Sequence, residues 1–437
     1  MKRIRPDAGP RTILMLQGPA SALWREVRDA LTAQGHRVLH VALALGDVVY
    51  WRRRGMIAYR GTLDDWPAWL ESLILREGID DLLYFADCLP YHRTAAELAA
   101  RRGLRAWAVE NGYLRPDWLT LEPFGMGRHS RFARCPDRIV ALAEGQPPAS
   151  LDSAWPLPFW VDAMNEMAFN IAHSAGRSFF PHYDDDRVIS PWREYAGWVP
   201  HLIRLRRIRS QARQVERRCL SGADPYAVIA LQMETDYQIR VSSDFASQAE
   251  MLEIALLTMA RRAPPQMRAV VKVHPCDNGL IDWWAVVEGL CQRFGLEGRV
   301  DVIRGGRLDA LLRQAIGLIT INSTTAVHAL RLGRPVIALG EAVFDVPGLT
   351  HQGGLETFWA APEHPDPVLF DRWCRAMAAE IQVRGSQKQR HGRRIAAREI
   401  ARRITHGDRY WRLHDSQNPL SVEPAALPAP RVAATPS

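Results

Sequence analysis

The 437-residue chain has no run of about 18 apolar residues, so it is not expected to contain a membrane-spanning helix. Its six cysteines (Cys88, Cys135, Cys219, Cys276, Cys291, Cys374) stand far apart, with no CxxC pair and no Cys/His cluster at zinc spacing. Scattered thiols of this kind fit a reducing compartment. The opening MKRIRPDAGPRT runs into ILML and then QGP without a signal-peptide core. A cytoplasmic protein is therefore expected, with any membrane contact peripheral. Several signature loops are also missing. Without GxxxxGK[ST] a P-loop kinase or ATPase is excluded, and GxGxxG after the first strand, HExxH and GxSxG are absent too. The DDD run at Asp184–Asp186 does not follow a strand and reads as a solvated loop, so no metal site is expected.

What is present describes a soluble globular chain of two or three domains, 47% hydrophobic and 24% charged. The net charge of +8 comes mostly from arginine and admits two readings. One is attraction to anionic partners; the other is arginines spread over solvated faces. From about Gln417 the sequence is rich in Pro, Ala and Ser, which predicts a flexible tail over 417–437.

The first half alternates strand and helix signals. Thr12–Leu16, Arg37–Ala42, Asp81–Phe85 and Leu104–Val109 read as strands, with helical patterns at Ala22–Gln34, Trp66–Glu77 and Ala95–Arg102 between them. After an aromatic and Pro-rich stretch comes the basic segment Trp192–Arg218. It reads either as a membrane-surface helix or as a helix joining two domains. The rhythm then resumes, with strands at Tyr226–Leu231, Ala269–Val273, Val300–Ile303, Gly317–Ile321 and Pro335–Leu339. Strands separated by helices argue for parallel sheets, with ligands beyond the carboxyl ends of the strands. The expectation is an α/β protein of GT-B architecture, two Rossmann-like domains facing a central cleft. The parts are residues 1–190, a basic helical crossover at 191–220, and residues 221–416.

The polar residues just after the strands are the candidates for chemistry. Gln17 and Gly18 follow the first strand, and Asp87 the third. In VENGYLRPDWLTLE, Glu110 ends a strand, Gly112 allows a tight turn, and Tyr113 and Arg115 order it. In VKVHP, Lys272 and His274 alternate with valines and so share a face. Asn322, Ser323 and Thr324 begin a helix, a position that suits a phosphate or plain helix capping. Gln232, Glu234 and Asp236 alternate after another strand; a carboxylate there serves as base or nucleophile, or decorates an acidic surface loop. Glu110 and Asp236, one from each half, would face each other across the cleft.

Taken together, LQGPASALWREVRDALTAQGHRV, DDWPAWL, FADCLPYHRTAAELA, VENGYLRPDWLTLE, LQMETDYQIR, VKVHP and NSTTAVHALRLGRPV resemble the capsule polysaccharide synthesis and export family. The likeness is to its KpsS/LipB type of retaining β-Kdo transferase and runs from about Ile13 to His406. It implies a GT-B fold, CMP-β-Kdo as donor substrate with no cofactor and no metal, and a phosphatidylglycerol-type lipid acceptor at the inner face of the inner membrane. It also implies retention of configuration through a Kdo–enzyme adduct. By motif, Asp236 would be the nucleophile with Glu234 its rival, and Glu110 the acid/base. Lys272 and His274 would steady the donor's carboxylate or phosphate, and Asn322, Ser323 and Thr324 would hold that phosphate. Glu341 would contact ribose or cytosine. Gln17, Gly18, Tyr113 and Arg115 would line the acceptor side. Where much of the family carries EEGY, Asn111 stands beside Glu110 here. Other capsule synthesis or export proteins are possible partners, and nucleic acid is not. Two alternatives stay open: a non-catalytic partner of the export machinery, and a transferase using another nucleotide sugar.

Overall fold

The computed structural model describes residues 9–157, 159–184, 191–222, 224–234, 239, 243–277 and 279–406. The first half builds β1 (Thr12–Met15), α1 (Leu23–Ala33), β2 (Arg37–Ala42), α2 (Leu45–Trp51), β3 (Met56–Ala58), α3 (Trp66–Glu77), β4 (Asp81–Phe85), α4 (Pro90–Arg102), β5 (Arg105–Asn111), β6 (Trp118–Pro123) and α5 (Pro136–Ala143). Then come α6 (Phe159–Ala175) and the 30-residue α7 (Pro191–Leu220). The second half is β7 (Tyr226–Ala230), α8 (Gln248–Arg262), β8 (Arg268–Val273), α9 (Trp283–Phe294), β9 (Val300–Arg304), α10 (Leu308–Gln314), β10 (Gly317–Thr320), α11 (Thr325–Arg331) and β11 (Val336–Ala338). The described chain closes with α12 (Gly354–Ala360), α13 (Pro367–Glu380), β12 (Gln382–Arg384) and α14 (Arg390–Thr405).

Two sheets result. The first has strand order β12-β6-β5-β4-β1-β2-β3 and the second β11-β10-β7-β8-β9. Strands β1 to β5 pair in parallel, β6 runs antiparallel to β5, and every pairing in the second sheet is parallel. A parallel sheet covered on both faces needs strands that are apolar throughout, which is why Ile13, Leu14 and Met15, or Val270 and Val271, are fully buried. One apolar cluster covers each face of the first sheet and one face of the second. The cluster on the remaining face runs on into α5 and α13 and so welds the two halves together. Among the described residues, no helix is long and apolar enough to cross a membrane.

In each sheet the chain reverses its direction of travel once. β1 lies between β2 and β4, and β7 lies between β8 and β10. At such switch points neighbouring loops diverge and leave a crevice beyond the carboxyl ends of the strands.

One boundary is corrected. Residues 221–416 do not form a single C-terminal unit, because β12 and α14 return to the first sheet. The reason is exposed edge and exposed core. β12 covers the open side of β6 in register Gln382↔Thr120, Val383↔Leu119 and Arg384↔Trp118. The apolar side of α14 (Ala396, Ile400, Ile404) buries itself with Leu23, Val27 and Leu31 of α1. The tail expected at 417–437 lies outside the described residues.

Candidate functional site between the two sheets

On the first sheet, the β5 strand ends in the segment Glu110–Arg115. Gly112 is required here by proximity and not by its φ, since a Cβ would sit 2.6 Å from the backbone carbonyl of Trp118. The turn is held from β12: Gln382 Oε1 accepts Tyr113 N at 2.8 Å and Leu114 N at 3.4 Å. Gln387 Nε2 donates to Asn111 Oδ1 at 2.8 Å, so Asn111 serves as an anchor for the segment after β12.

Glu110 is half-buried and lies opposite Thr120 on β6. Two residues on, Glu122 projects from the same face and has no exposure to water. Burial pushes the Glu122 carboxyl up to about 8, opposed by the hydroxyl of Ser130, which donates to Oε2, and raised further by the charge of Asp87. The Tyr113 hydroxyl accepts Gly127 N at 2.9 Å and donates to Glu122 Oε1 at 3.5 Å. Burial first, then the charges of Glu122, Glu110 and Asp87, hold the Tyr113 phenol well above its ordinary range. Asp87 accepts Met126 N at 2.8 Å and is also raised by burial. Three carboxyl groups thus surround one phenol at the end of β5. A buried carboxyl held toward its neutral form beside further carboxyl groups is a usual setting for acid/base work.

Gln17 falls elsewhere. It is buried, its amide nitrogen donating to Asp47 Oδ2 at 3.1 Å and its oxygen accepting the Tyr183 hydroxyl at 2.7 Å. Asp47, pushed up to about 7 by burial, also accepts Leu43 N and Ala44 N. The expectation that Gln17 lines an open acceptor cleft is therefore corrected: it braces the switch point from within. Gly18 leaves room for Trp24, whose ring would lie 2.7 Å from a Cβ there.

On the second sheet, the switch point carries a polar lattice. Gln232 Nε2 donates to Asn322 Oδ1 at 2.9 Å and Asn322 N donates back to Gln232 Oε1 at 3.2 Å. Gln248, at the start of α8, donates to the Gln232 carbonyl at 2.7 Å and to Glu234 Oε2 at 3.3 Å. Burial raises Glu234, against its hydrogen bonds from Gln248. Asp236 lies outside the described residues. Ser323 Oγ accepts Thr325 N at 3.2 Å and so caps α11, whereas the Thr324 side chain makes no cap bond. His274 Nδ1 accepts Cys276 N at 3.1 Å, which in the neutral ring leaves the proton on Nε2. Asn322 and His274 follow strands two places apart in the sheet, roughly 10 Å.

Lys272 departs from expectation. It is buried, its Nζ donates to the Gly305 carbonyl at 2.8 Å, and burial lowers its pKa while Glu216 of α7 opposes that. It ties β8 to the loop after β9 instead of presenting its ammonium beside His274. Glu341 also differs. Its carboxylate pairs across the cleft with Arg128 (3.2 Å) and Arg134 (3.7 Å), which follow β6, so it links the halves.

The two edges meet where Tyr113 and Arg115 line a narrow crevice with Thr324, Val327, His328 and Arg331. Its charge is cationic. Burial lowers His328, and Arg331 and Arg115 lower it further against Asp309. Burial lowers Lys388 too, and Arg115 adds to that. Arg115 and Arg331 therefore line one gap together with the His328 imidazole, and Lys388 lies near enough to Arg115 to feel its charge. The sequence reading had found Tyr113, Arg115 and Thr324 but missed Glu122, His328, Arg331 and Lys388. Glu122 had a signal, a charged residue at a strand position where apolar residues are the rule. Lys388 had none, since only the return of β12 brings it to the cleft.

The chain has recognisable relatives among known proteins. The family of capsule polysaccharide biosynthesis proteins matches residues 80–387. The chain is 31% identical to the capsule polysaccharide export protein KpsS of Escherichia coli over 379 residues, 85% of this chain and 95% of that one. It is 29% identical to the capsule polysaccharide modification protein LipB of Neisseria meningitidis serogroup A, over 86% of this chain and 91% of the relative. Among solved structures it is similar to Thermosulfurimonas dismutans KpsC, a beta Kdo 2,7 transferase, at 14% identity and a TM-score of 0.43, covering 91% of this chain and 99% of that one. With a family match over most of its length and relatives aligned nearly end to end, the chain belongs to the capsule polysaccharide biosynthesis protein family.

Proposed function

We propose that the protein is a glycosyltransferase that moves Kdo from CMP-β-Kdo to a phosphatidylglycerol-type lipid, with retention of configuration and without a metal. The observation that carries this reading is the crevice lined by Arg115 and Arg331 with His328, on the side of Tyr113, whose phenol feels the carboxyl groups of Glu122, Glu110 and Asp87. A CMP-linked ulosonic acid brings a carboxylate and a phosphodiester close together. A guanidinium on each wall of the gap, Arg115 from the first half and Arg331 from the second, matches such a pair.

In this reading the residues take the roles that the resemblance implies. Asn322, Ser323 and Thr324 hold the phosphate at the end of β10, with His274 Nε2–H as a further donor. Asp236 attacks the anomeric carbon and forms the Kdo–enzyme adduct, releasing CMP. Glu110 then takes the proton of the incoming acceptor hydroxyl as the adduct is displaced. Glu122, neutral at pH 7, keeps the surroundings of Glu110 from accumulating a third charge. The capsule family supports a role in polysaccharide assembly, and the relatives' names add export and modification. The peripheral inner-membrane location belongs to this proposal, as do contacts with other capsule proteins.

Purified full-length chain incubated with CMP-Kdo and a lysophosphatidylglycerol analogue is expected to yield a Kdo-lipid by mass spectrometry. Asp236→Ala is expected to abolish the product while leaving CMP binding in place. A wild-type chain that makes no product across several lipid acceptors, although it binds CMP, would refute the transfer reaction. Tighter calorimetric binding of UDP or GDP than of CMP would reassign the donor.

A further inference from the structure

A second concave feature lies away from the cleft, between α1 and α14. It is a groove of about 650 Å³ lined by six arginines and only two carboxylates. Both carboxylates are already engaged: Glu26 accepts Arg393 at 2.9 Å, and Asp29 pairs with Arg53 at 2.8 Å and Arg28 at 3.0 Å. Arg25, Arg390, Arg394 and Arg398 pair with no carboxylate among the described residues. Glu399, the nearest acid in sequence, is taken by Arg402 and Arg403.

Arg390, Arg394 and Arg398 are exposed and stand four residues apart, so they form one row along α14. Successive members are about 6 Å apart along the helix axis. Like charges at this spacing repel and weaken a helix. Among the described residues no carboxylate pairs with these three, which points to an external anion. Ala30, Ala33 and Ala397 also line the groove, small side chains that leave room for a ring. The row also begins two residues after Lys388, which lies beside Arg115 in the cleft.

We infer that this groove binds an acidic glycan, a chain bearing carboxylates on successive sugar residues, and leads it along α14 to or from the cleft. Guanidinium forks pair with carboxylates in two-pronged fashion. A flat anionic membrane is the poorer occupant, because peripheral helices seat on bilayers with large apolar side chains and the groove lining has none. The glycan class rests on membership of the capsule family. The binding itself does not depend on the Kdo-transfer reading, and CMP affinity reports on that reading separately.

The test is calorimetry on the full chain with an oligogalacturonate, with short-chain polyphosphate and phosphatidylglycerol vesicles as rival anions. The oligogalacturonate is expected to bind best, and raising salt from low to physiological strength to weaken it. The triple change Arg390→Gln, Arg394→Gln and Arg398→Gln is expected to weaken binding at least tenfold, with CMP affinity unchanged. Arg25→Gln alone, on the facing helix, is expected to weaken it severalfold, which keeps the test valid if the triple variant folds poorly. Arg261→Gln with Arg313→Gln, equally exposed and remote, serves as the charge control. Unaltered affinity in both groove variants, an equal loss in the control, or tighter binding of polyphosphate or vesicles overturns the inference.

Discussion

A carboxyl group sealed from water, as on Glu122, is easier to hold neutral than charged, and its consequences are measurable. Its value is raised from 4.5 to about 8 by burial, so folding is favoured by the protonated form. That contribution is complete below about pH 4.5 and is lost as pH rises through 8. Glu122→Gln keeps an acceptor for the Ser130 hydroxyl and removes the titration. Relative to wild type, it is expected to gain on the order of 4 kcal/mol between pH 4 and pH 9, read from urea unfolding across that range. Parallel pH profiles would show that Glu122 ionises normally. Arg115 permits a test of the cleft at the same scale. If it contacts the donor's anionic groups, Arg115→Ala should weaken CMP binding by ten- to a hundredfold, with Arg115→Lys recovering part of it. Unchanged CMP affinity would place the donor elsewhere.

At the scale of elements, much was legible before any coordinates. β2, β4 and α3 have the expected boundaries, because apolar runs ended by Gly or by polar residues are local signals. The return segment was not legible. β12 is three residues long, too short for a periodic pattern, and owes its strand geometry to the open edge of β6. Its Gln382 nevertheless fixes the Tyr113 turn and donates to Thr120 Oγ1 at 2.9 Å. Gln382→Ala would leave buried backbone N–H groups at Tyr113 and Leu114 without an acceptor. It is expected to cost about 1–3 kcal/mol in chemical denaturation and to weaken CMP binding as the turn loosens. Gly112→Ala places a methyl group against the Trp118 carbonyl and should cost a similar 1–3 kcal/mol. A melting temperature equal to wild type would mean that the turn adjusts freely.

For the molecule as a whole, α14 is part of the first sheet's core. A chain ending at Ile381 loses β12 and α14, uncovering β6 and the buried faces of Leu23, Val27 and Leu31. Such a chain is expected to lack a cooperative thermal transition by circular dichroism. A sharp transition near that of the full chain would show that the first sheet stands without its return segment.

The amino-acid sequence by itself determined the α/β class, two strand-rich halves with a long basic helix between them in chain order, and the strand ends where polar residues gather. Those features arise from local periodicity and turn chemistry, which need no knowledge of distant partners. Tertiary structure alone decided which polar residues face the cleft. Gln17 and Lys272 were drawn inward by Asp47, Tyr183 and the Gly305 carbonyl, whereas Lys388 was carried to Arg115 from more than 250 positions away. Burial and electrostatics depend on neighbours in space, and chain order does not supply them.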